Sequence, residues 1–229
     1  MSFVRLYVVE YANLNSQDTF NTSLTADGYK QGGLGVGASN VNDAEWNDFN
    51  GRMPLVPCGI TRHLVNTTGV VNITYPAGTL NETTTRTFTV PSYRGIENPF
   101  GHIFKWTDGI NINTVEGTTT VYTTNNIVNF ADDTSTNYEA RCSFTKLENG
   151  YIKTWNWDAN GDFIPTSIGG SSASYLYDYS SWGDGWAVLR SGGYANYGAA
   201  CGLFYFSASS GSGNSSADIG GRLYYTPAE

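Results

Sequence analysis

Short runs that alternate hydrophobic and polar side chains recur along this chain, separated by turn-forming residues. Phe3–Tyr11 and Thr118–Val128 predict strands, because successive side chains of a strand point to opposite faces. His63–Val90 is rich in Thr, Val and Asn and contains a Pro76–Gly78 turn. It therefore predicts a hairpin or a pair of strands.

Two dipeptides add hairpin signals further along. Asn149-Gly150 separates Ser143–Leu147 from Tyr151–Trp157, and Asn160-Gly161 separates Trp157 from Phe163. Asn-Gly favours the tight turns that join antiparallel strands. The best helix candidate is Ser39–Gly51, which begins with capping residues, has acids in its first turn and ends at a glycine.

Composition narrows the class of protein. Charged residues make up only 14% of the 229 residues, and Gly (27) and Tyr (16) are abundant, which favours strands and turns over a helical bundle. The net charge of -8 argues against a nucleic-acid partner, which needs a basic surface. No apolar run is long enough to span a membrane. Arg5 and Glu10 interrupt the amino-terminal run, so no signal peptide is predicted.

Candidate catalytic and metal sites are sparse. Cys58, Cys142 and Cys201 are widely spaced and fit buried or half-buried thiols better than a disulfide framework. His63 and His102 are the only histidines, which leaves little for a zinc site or a catalytic triad.

Three motifs resemble a metal, catalytic or phosphate site and are better explained as turns or as a solvated loop. Asp158–Asp162 departs from a calcium loop at its sixth and twelfth positions. Asp132 and Asp133 are adjacent, so as strand residues they would point to opposite faces rather than share a substrate. Gly32–Gly37 lacks the Lys-Ser/Thr ending of a phosphate-binding loop.

Five Asn-x-Ser/Thr sequons, which chance explains in so polar a chain, begin at Asn21, Asn66, Asn72, Asn81 and Asn214.

The tail from Ser171 onward has a different composition from the rest. Eight tyrosines lie between Tyr175 and Tyr225, interleaved with Ser, Gly, Ala, Asn and Asp. Tyrosine offers a large rigid contact area, and small polar residues offer adaptable hydrogen bonds, as in an antibody paratope. An aromatic-rich β core with polar turns would have a similar composition.

Two stretches resemble a known family. Asn98–Asp108 (NPFGHIFKWTD) is similar to the N-x-x-G-N-V-W-E-W-T-D signature of the formylglycine-generating-enzyme branch of the C-type lectin fold. Trp186–Tyr205 and Ser215–Leu223 resemble the ending R-x-G-G-x-W … G-A-x-x-G-x-F … I-G-x-R-L. That ending is typical of the variable proteins that retroelements diversify in bacteria and phages. His102, Lys105 and Ala195 depart from these patterns.

The resemblance implies two sets of residues with different roles. It implies framework residues that hold the fold: Trp106, Trp186, Arg190, Gly192, Gly193, Gly198, Gly202, Phe204, Ile219, Gly220 and Arg222. It implies variable, ligand-facing residues: Tyr179, Ser181, Asp184, Tyr194, Asn196, Tyr197, Tyr205, Ser207, Ser209 and Ser210. It does not imply oxidase activity, because only Cys201 lies in the region where oxidase relatives use paired cysteines. It carries over no metal, because the calcium ligands of the family cannot be placed residue by residue, and it implies no catalytic residue or cofactor.

The expected fold is a single α+β domain of C-type lectin type over 1–229, with small mixed or antiparallel sheets, one or two short helices and long ordered loops. Within it, 1–95 supplies amino-terminal strands, a short helix and a hairpin, 96–174 the central core and 175–225 the variable region.

The expected function is non-catalytic binding of a bacterial surface protein or polysaccharide, at the tip of a phage tail fibre in the virion. A homotrimer and contacts with other tail proteins are implied, with no nucleic acid and no membrane insertion. The alternatives are a formylglycine-generating-like oxidase, a tail-associated glycan hydrolase, and a variable adhesin on a bacterial cell surface.

Overall fold

Strands dominate the fold. The computed structural model describes residues 59–76, 86–97, 99–100, 103–157, 163–170, 178–193, 200, 202, 204–215 and 219–221. The strands in them are β1 Gly69–Tyr75, β2 Arg86–Tyr93, β3 Ile96–Glu97, β4 Phe104–Val115, β5 Thr118–Thr123, β6 Glu139–Thr145, β7 Gly150–Trp157, β8 Phe163–Ile168, β9 Tyr179–Trp182, β10 Gly185–Ser191, β11 Phe206–Ala208 and β12 Ile219–Gly220. The helices with defined bounds there are two 3-10 turns, Arg62–Leu64 and Ile127–Asn129. The described residues are therefore mostly β-sheet, and they contain less helix than an α+β domain implies.

The strands form two sheets. A three-stranded sheet has the order β1-β2-β3, and a nine-stranded sheet has the order β6-β5-β4-β10-β11-β9-β7-β8, with β12 paired to β4. Most neighbours are antiparallel, but β11 runs parallel to β9 and β12 runs parallel to β4. The mixed character of the sheet is confirmed, whereas the expectation that every sheet is small is wrong.

Several predicted strands are confirmed. β1 and β2 pair antiparallel from Gly69 opposite Ser92 to Tyr75 opposite Arg86, as the run around the Pro76–Gly78 turn predicts. β7 and β8 pair with Trp157 opposite Phe163, as the Asn160-Gly161 signal predicts. The predicted strand Thr118–Val128 ends earlier, at Thr123.

The hairpin predicted at Asn149-Gly150 is wrong. β6 pairs with β5, whereas β7 pairs with β8 and β9 on the other side of the sheet. The Asn149 side chain contacts β9 instead, since its Oδ1 accepts a hydrogen bond from the backbone N–H of Trp182 at 2.7 Å. The chain therefore crosses between sheet regions here instead of turning back on itself.

One face of the nine-stranded sheet carries the main core. Its buried members come from seven strands: Ile112, Val121, Ile152, Ile164, Trp182, Ala187, Phe206 and Ala208. Trp182 stacks on Phe206 with ring centroids 5.2 Å apart and meets Phe144 edge-on at 5.5 Å. Because side chains alternate along a strand, the residues between these core members point to the opposite face. That second face contains the candidate site.

β4 is the longest strand, and the hydrophobic pattern does not predict it. Between Thr107 and Asn111 it bulges away from β10, and Gly109 there has φ +78°. A Cβ on Gly109 would lie 2.7 Å from the carbonyl oxygen of Thr124. The bulge explains the broken alternation, since extra residues in one strand shift side chains between faces.

Some predicted features lie outside the described residues. They are the Phe3–Tyr11 strand, the Ser39–Gly51 helix, the Gly32–Gly37 loop, Cys58, His102, Cys201, the Asp158–Asp162 loop and the sequon residues Asn21 and Asn81.

Candidate binding surface

The stretches that carry the family resemblance lie side by side in the large sheet. β10 pairs antiparallel with β4, and this places Arg190 opposite Trp106. β12 pairs parallel with the start of β4, with Ile219 beside Phe104 and Gly220 beside Lys105. Segments more than 80 residues apart in sequence therefore build one surface around the first half of β4.

Two framework glycines form a tight junction at the end of β10. Gly192 and Gly193 are both buried and have φ values of +83° and +68°, a region that residues with a Cβ rarely adopt. A Cβ on Gly192 would also lie 3.2 Å from the Pro99 carbonyl oxygen and 3.3 Å from the Phe100 Cα. The pair of glycines thus brings the chain against the start of the first resemblance stretch.

Gly202 has a different constraint. The space that its Cβ would need is occupied by the carboxylate of Asp178. Asp178 is completely buried, and its Oδ2 accepts a hydrogen bond from the backbone N–H of Phe204 at 2.6 Å. Asp178 therefore anchors the chain entering β11, a role that the sequence patterns did not reveal.

A row of side chains crosses the sheet on the face away from the main core. β9 and β11 place Ser181 beside Ser207, and β10 places Arg190 opposite Ser207 on its other side. β4 continues the row with Trp106 opposite Arg190. Paired residues share a face, so the row Ser181–Ser207–Arg190–Trp106 combines two hydroxyls, a guanidinium and an indole. Three of these four residues are partly exposed.

Arg190 is the central charge of this row. Its Nη2 donates to Ser207 Oγ at 3.0 Å and to Ser209 Oγ at 3.2 Å. Its guanidinium carbon lies 4.7 Å from the centroid of the Phe104 ring, a cation–π contact. Arg190 thus links β10, β11 and β4.

The ligand-facing residues predicted in the tail differ in exposure. Asp184 and Ser209 are exposed, and Tyr179, Ser181 and Ser210 are half-buried. Asp184 forms an ion pair with Lys146 at 3.0 Å. Gly183 in the β9–β10 turn brings Asp184 close to the end of β11, since a Cβ there would lie 3.1 Å from the Ser209 Cα. Tyr194, Asn196 and Tyr197 lie outside the described residues.

Two of the predicted ligand-facing residues are buried, so the expectation is wrong for them. Tyr205 is 3% exposed, and its ring packs against Phe104 with centroids 5.6 Å apart. Ser207 is 0% exposed and lies under the Arg190 guanidinium. Ser207 lies in β11 between β9 and β10, and Tyr205 directly precedes that strand.

The framework residues occupy different depths. Phe204 is 2% exposed and packs 6.0 Å from the Trp155 ring, whereas Trp106, Ile219 and Gly220 are half-buried. Trp186 is also half-buried and lies 5.8 Å from Tyr122 on the outer face. Gly198 and Arg222 lie outside the described residues.

An ordered loop between β5 and β6 adjoins this surface, and its hydrogen bonds to β4 were not predicted. Asn111 is buried, and its Nδ2 donates to the carbonyl oxygens of Ala131 at 2.7 Å and Thr134 at 2.9 Å. The 3-10 turn in the loop exposes Ile127 (73%) and Val128 (81%). Their apolar character suggested a continuing strand, although Asn126, which caps the turn through its Oδ1 at 3.2 Å from Val128 N, is a turn signal.

The acidic pair in this loop does not form an enclosed catalytic site. Asp132 and Asp133 are exposed, as expected for a solvated loop. Partial burial, followed by the charges of Asp133 and Asp108, raises the pKa of Asp132 above its usual 3.8. Asp133 Oδ2 accepts a hydrogen bond from Ser212 Oγ at 2.7 Å. The loop is thereby joined to the segment that follows β11.

Other candidate chemistry is limited. Cys142 is partly buried against the core, and the sequon residues Asn66, Asn72 and Asn214 are exposed. Among the described residues no group of three or more His, Cys, Asp or Glu is placed to hold a metal ion. No helix in that same part of the chain is long and apolar enough to cross a membrane.

Comparison with known proteins gives no relative. No protein-family model matches the chain, and no curated protein or solved structure matches it at a significant level.

Proposed function

We propose that this chain is a non-catalytic receptor-binding domain of C-type lectin type, in which a rigid β framework displays exchangeable polar and aromatic side chains. Its target is a molecule on the bacterial surface, and its setting is the tip of a phage tail fibre. The observation that carries the proposal is the adjacency of β4, β10 and β12, because these strands hold the separate pieces of the family resemblance. An adhesin on a bacterial surface would use the same physics in a different setting.

The distribution of rigid and exposed positions supports this function. Gly192 and Gly193 have positive φ values that strain a larger residue, and at Gly202 a buried carboxylate leaves no room for a side chain. Asp184 and Ser209 emerge together at the edge of that framework. A pre-ordered scaffold lowers the entropic cost of binding and lets exposed side chains change without unfolding the domain.

A substitution experiment tests the proposed binding surface. The double variant Asp184→Tyr and Ser210→Tyr should retain its melting temperature and lose binding to whole bacterial cells in a panel of strains that the wild-type protein labels. The control is Glu116→Tyr with Thr120→Tyr, which likewise removes one exposed acid and enlarges one half-buried hydroxyl residue, here on the β4–β5 hairpin. Equal loss of labelling in both variants, or in neither, would contradict the proposed surface.

The gene offers a second test. A near-copy of the codons for residues 175–222 beside a reverse transcriptase gene, differing from them only at adenines, is the arrangement expected for a diversified protein. Substitutions scattered equally over core positions such as Phe204 and Phe206 would contradict it.

A further inference from the structure

Arg190 differs in its choice of partner from Arg141 and Lys146, two other partly buried cations. Arg141 pairs with Glu139 at 2.9 Å and Lys146 pairs with Asp184 at 3.0 Å. Arg190 instead has two neutral hydroxyls, Ser207 and Ser209, and the described residues supply it with no carboxylate. This holds although the net charge of the chain is -8.

The environment of Arg190 leaves its hydrogen-bonding capacity unfilled. Nε is buried and no described group accepts from it, while both recorded hydrogen bonds use Nη2. A guanidinium presents a planar fork of donors that matches a carboxylate with two parallel hydrogen bonds. Removing a charge from water without an opposite charge is unfavourable, and the Phe104 ring 4.7 Å away offsets only part of that cost. An anion is therefore the complement that this position lacks.

The neighbours of Arg190 indicate what else the anion would carry. Trp106 lies opposite Arg190 across the strand pair and is half-buried. Ser209 is exposed and shares the Arg190 Nη2, and Ser181 continues the row beyond Ser207. An indole suits the apolar C–H face of a sugar ring, and serine hydroxyls both donate to and accept from sugar hydroxyls.

We propose that Arg190, Ser209 and Trp106 form a subsite for the carboxylate of an acidic saccharide, a uronic acid unit of a surface polysaccharide. The proposal rests on the proposed receptor-binding function and narrows it to a ligand class. Arg190, assigned to the framework by the family resemblance, would then also contact ligand. The carboxylate would accept from Arg190 Nη1, the terminal nitrogen that does not donate to Ser207 or Ser209, and the ring would extend over Trp106 toward Ser209.

The test compares two probes with the same sugar backbone on the purified protein. Trigalacturonic acid and its fully methyl-esterified form differ in charge and by one methyl group per ring, and calorimetric titration gives the affinity of each. Wild-type protein should prefer the acid by about tenfold, the order expected for a charge-assisted hydrogen bond. Arg190→Gln should abolish that preference, which a steric effect of the methyl groups would not lose, and Arg190→Lys should keep only part of it because lysine lacks the planar guanidinium. Equal binding of both probes, or binding of neither, would overturn the proposal.

Two further variants separate this role from a structural one. Arg141→Gln is the matched control, since Arg141 is also partly buried but has its own acid, and the acid preference should persist in it. Ser209→Ala should weaken acid binding a few-fold without lowering the melting temperature, because Ser209 is exposed; this outcome does not depend on Arg190→Gln folding. An acidic peptide of equal charge that binds as tightly as the trisaccharide would overturn the saccharide assignment.

The two proposals can fail separately. Loss of cell labelling in Asp184→Tyr with Ser210→Tyr, combined with no preference for acid over ester, would sustain receptor binding and reject the subsite. Acid preference combined with unchanged labelling in that variant would sustain the subsite and reject the proposed surface.

Discussion

Two consecutive pieces of the carboxyl-terminal tail have similar compositions and opposite environments. From Gly202 to Ser207 every residue that the structure describes is buried, whereas Ser209 to Asn214 are exposed or half-buried. The first piece enters a strand between β9 and β10 and is held by Asp178. The second leaves the sheet after Ala208. The position of each piece inside or outside the sheet, and not the abundance of Tyr, Ser and Gly, therefore decides which piece is accessible to solvent.

The largest expected effect comes from replacing one glycine by alanine in each piece and comparing the changes in stability. Gly202→Ala should lower the free energy of unfolding by about 2–4 kcal/mol, because the new Cβ collides with the buried Asp178 carboxylate. Gly213→Ala, which has nothing within 4 Å of its Cβ position, should change it by less than about 0.5 kcal/mol. Chemical denaturation of both variants measures the difference. Equal effects would mean that Asp178 does not fix the first piece.

Tyrosine truncation sharpens the contrast at the level of side chains. Tyr205→Ala should cost about 3 kcal/mol of stability, since it empties a buried space beside Phe104. Tyr179→Ala should cost only about 1 kcal/mol, because Tyr179 is half-buried and loses mainly its edge-on contact with Tyr151 at 5.4 Å. Thermal or denaturant unfolding, monitored by far-ultraviolet circular dichroism, measures the stability of both variants. A larger loss at Tyr179 would reverse the assignment of buried and displayed tyrosines.

The strands that the sequence predicts well are those in which alternation is regular. Residues 118–123 alternate between exposed or half-buried and buried, and the β1–β2 and β7–β8 pairs follow their turn signals. β4 was missed because its bulge at Gly109 disrupts the alternation. The hairpin predicted at Asn149-Gly150 was wrong because a two-residue turn signal carries no information about which strands pair across the sheet.

The site was predicted less completely than the strands. The tail pattern includes three glycines that are constrained by backbone conformation or by a buried carboxylate, and two exposed polar residues, Asp184 and Ser209; their role in binding stays a prediction. It could not separate Tyr205 from Tyr179, because burial of a tyrosine depends on what covers its strand. Asp178 and Asn111 were missed for a similar reason: each acts on backbone groups distant in sequence, Phe204 N–H and the Ala131 carbonyl, and neither contact has a sequence signature.

The ion pair at the β9–β10 turn tests whether the displayed edge depends on side-chain charges. Lys146 and Asp184 are 28% and 77% exposed at their side chains, so their coupling in a double-mutant cycle should be about 0.5 kcal/mol or less and should fall with added salt. Lys146→Ala and Asp184→Ala, alone and together, supply the cycle. Coupling above about 1 kcal/mol would mean that the pair, rather than the strand framework, holds the turn.

The smallest expected effect concerns the loop that Ser212 joins to the displayed piece through Asp133. Burial, with added repulsion from Asp133 and Asp108, raises the pKa of Asp132 in the folded protein. Between the ordinary value of 3.8 and the raised one, the folded state binds more protons than the unfolded state, so stability falls as pH rises through that window. Asp132→Asn should therefore be slightly more stable than wild type above the window, with the gain shrinking on acidification and vanishing below 3.8.

Denaturant unfolding of Asp132→Asn and wild type between pH 3 and pH 7 checks this sign, with exposed Glu148→Gln as the charge-matched control. Because burial is the first cause of the shift and the neighbouring acids only add to it, added salt should reduce the gain without removing it. A gain that disappears entirely in salt would assign the shift to the acids alone. A gain that grows on acidification would show that the carboxylate is favoured in the folded state, and that the loop beside the displayed piece attracts negative charge instead of repelling it.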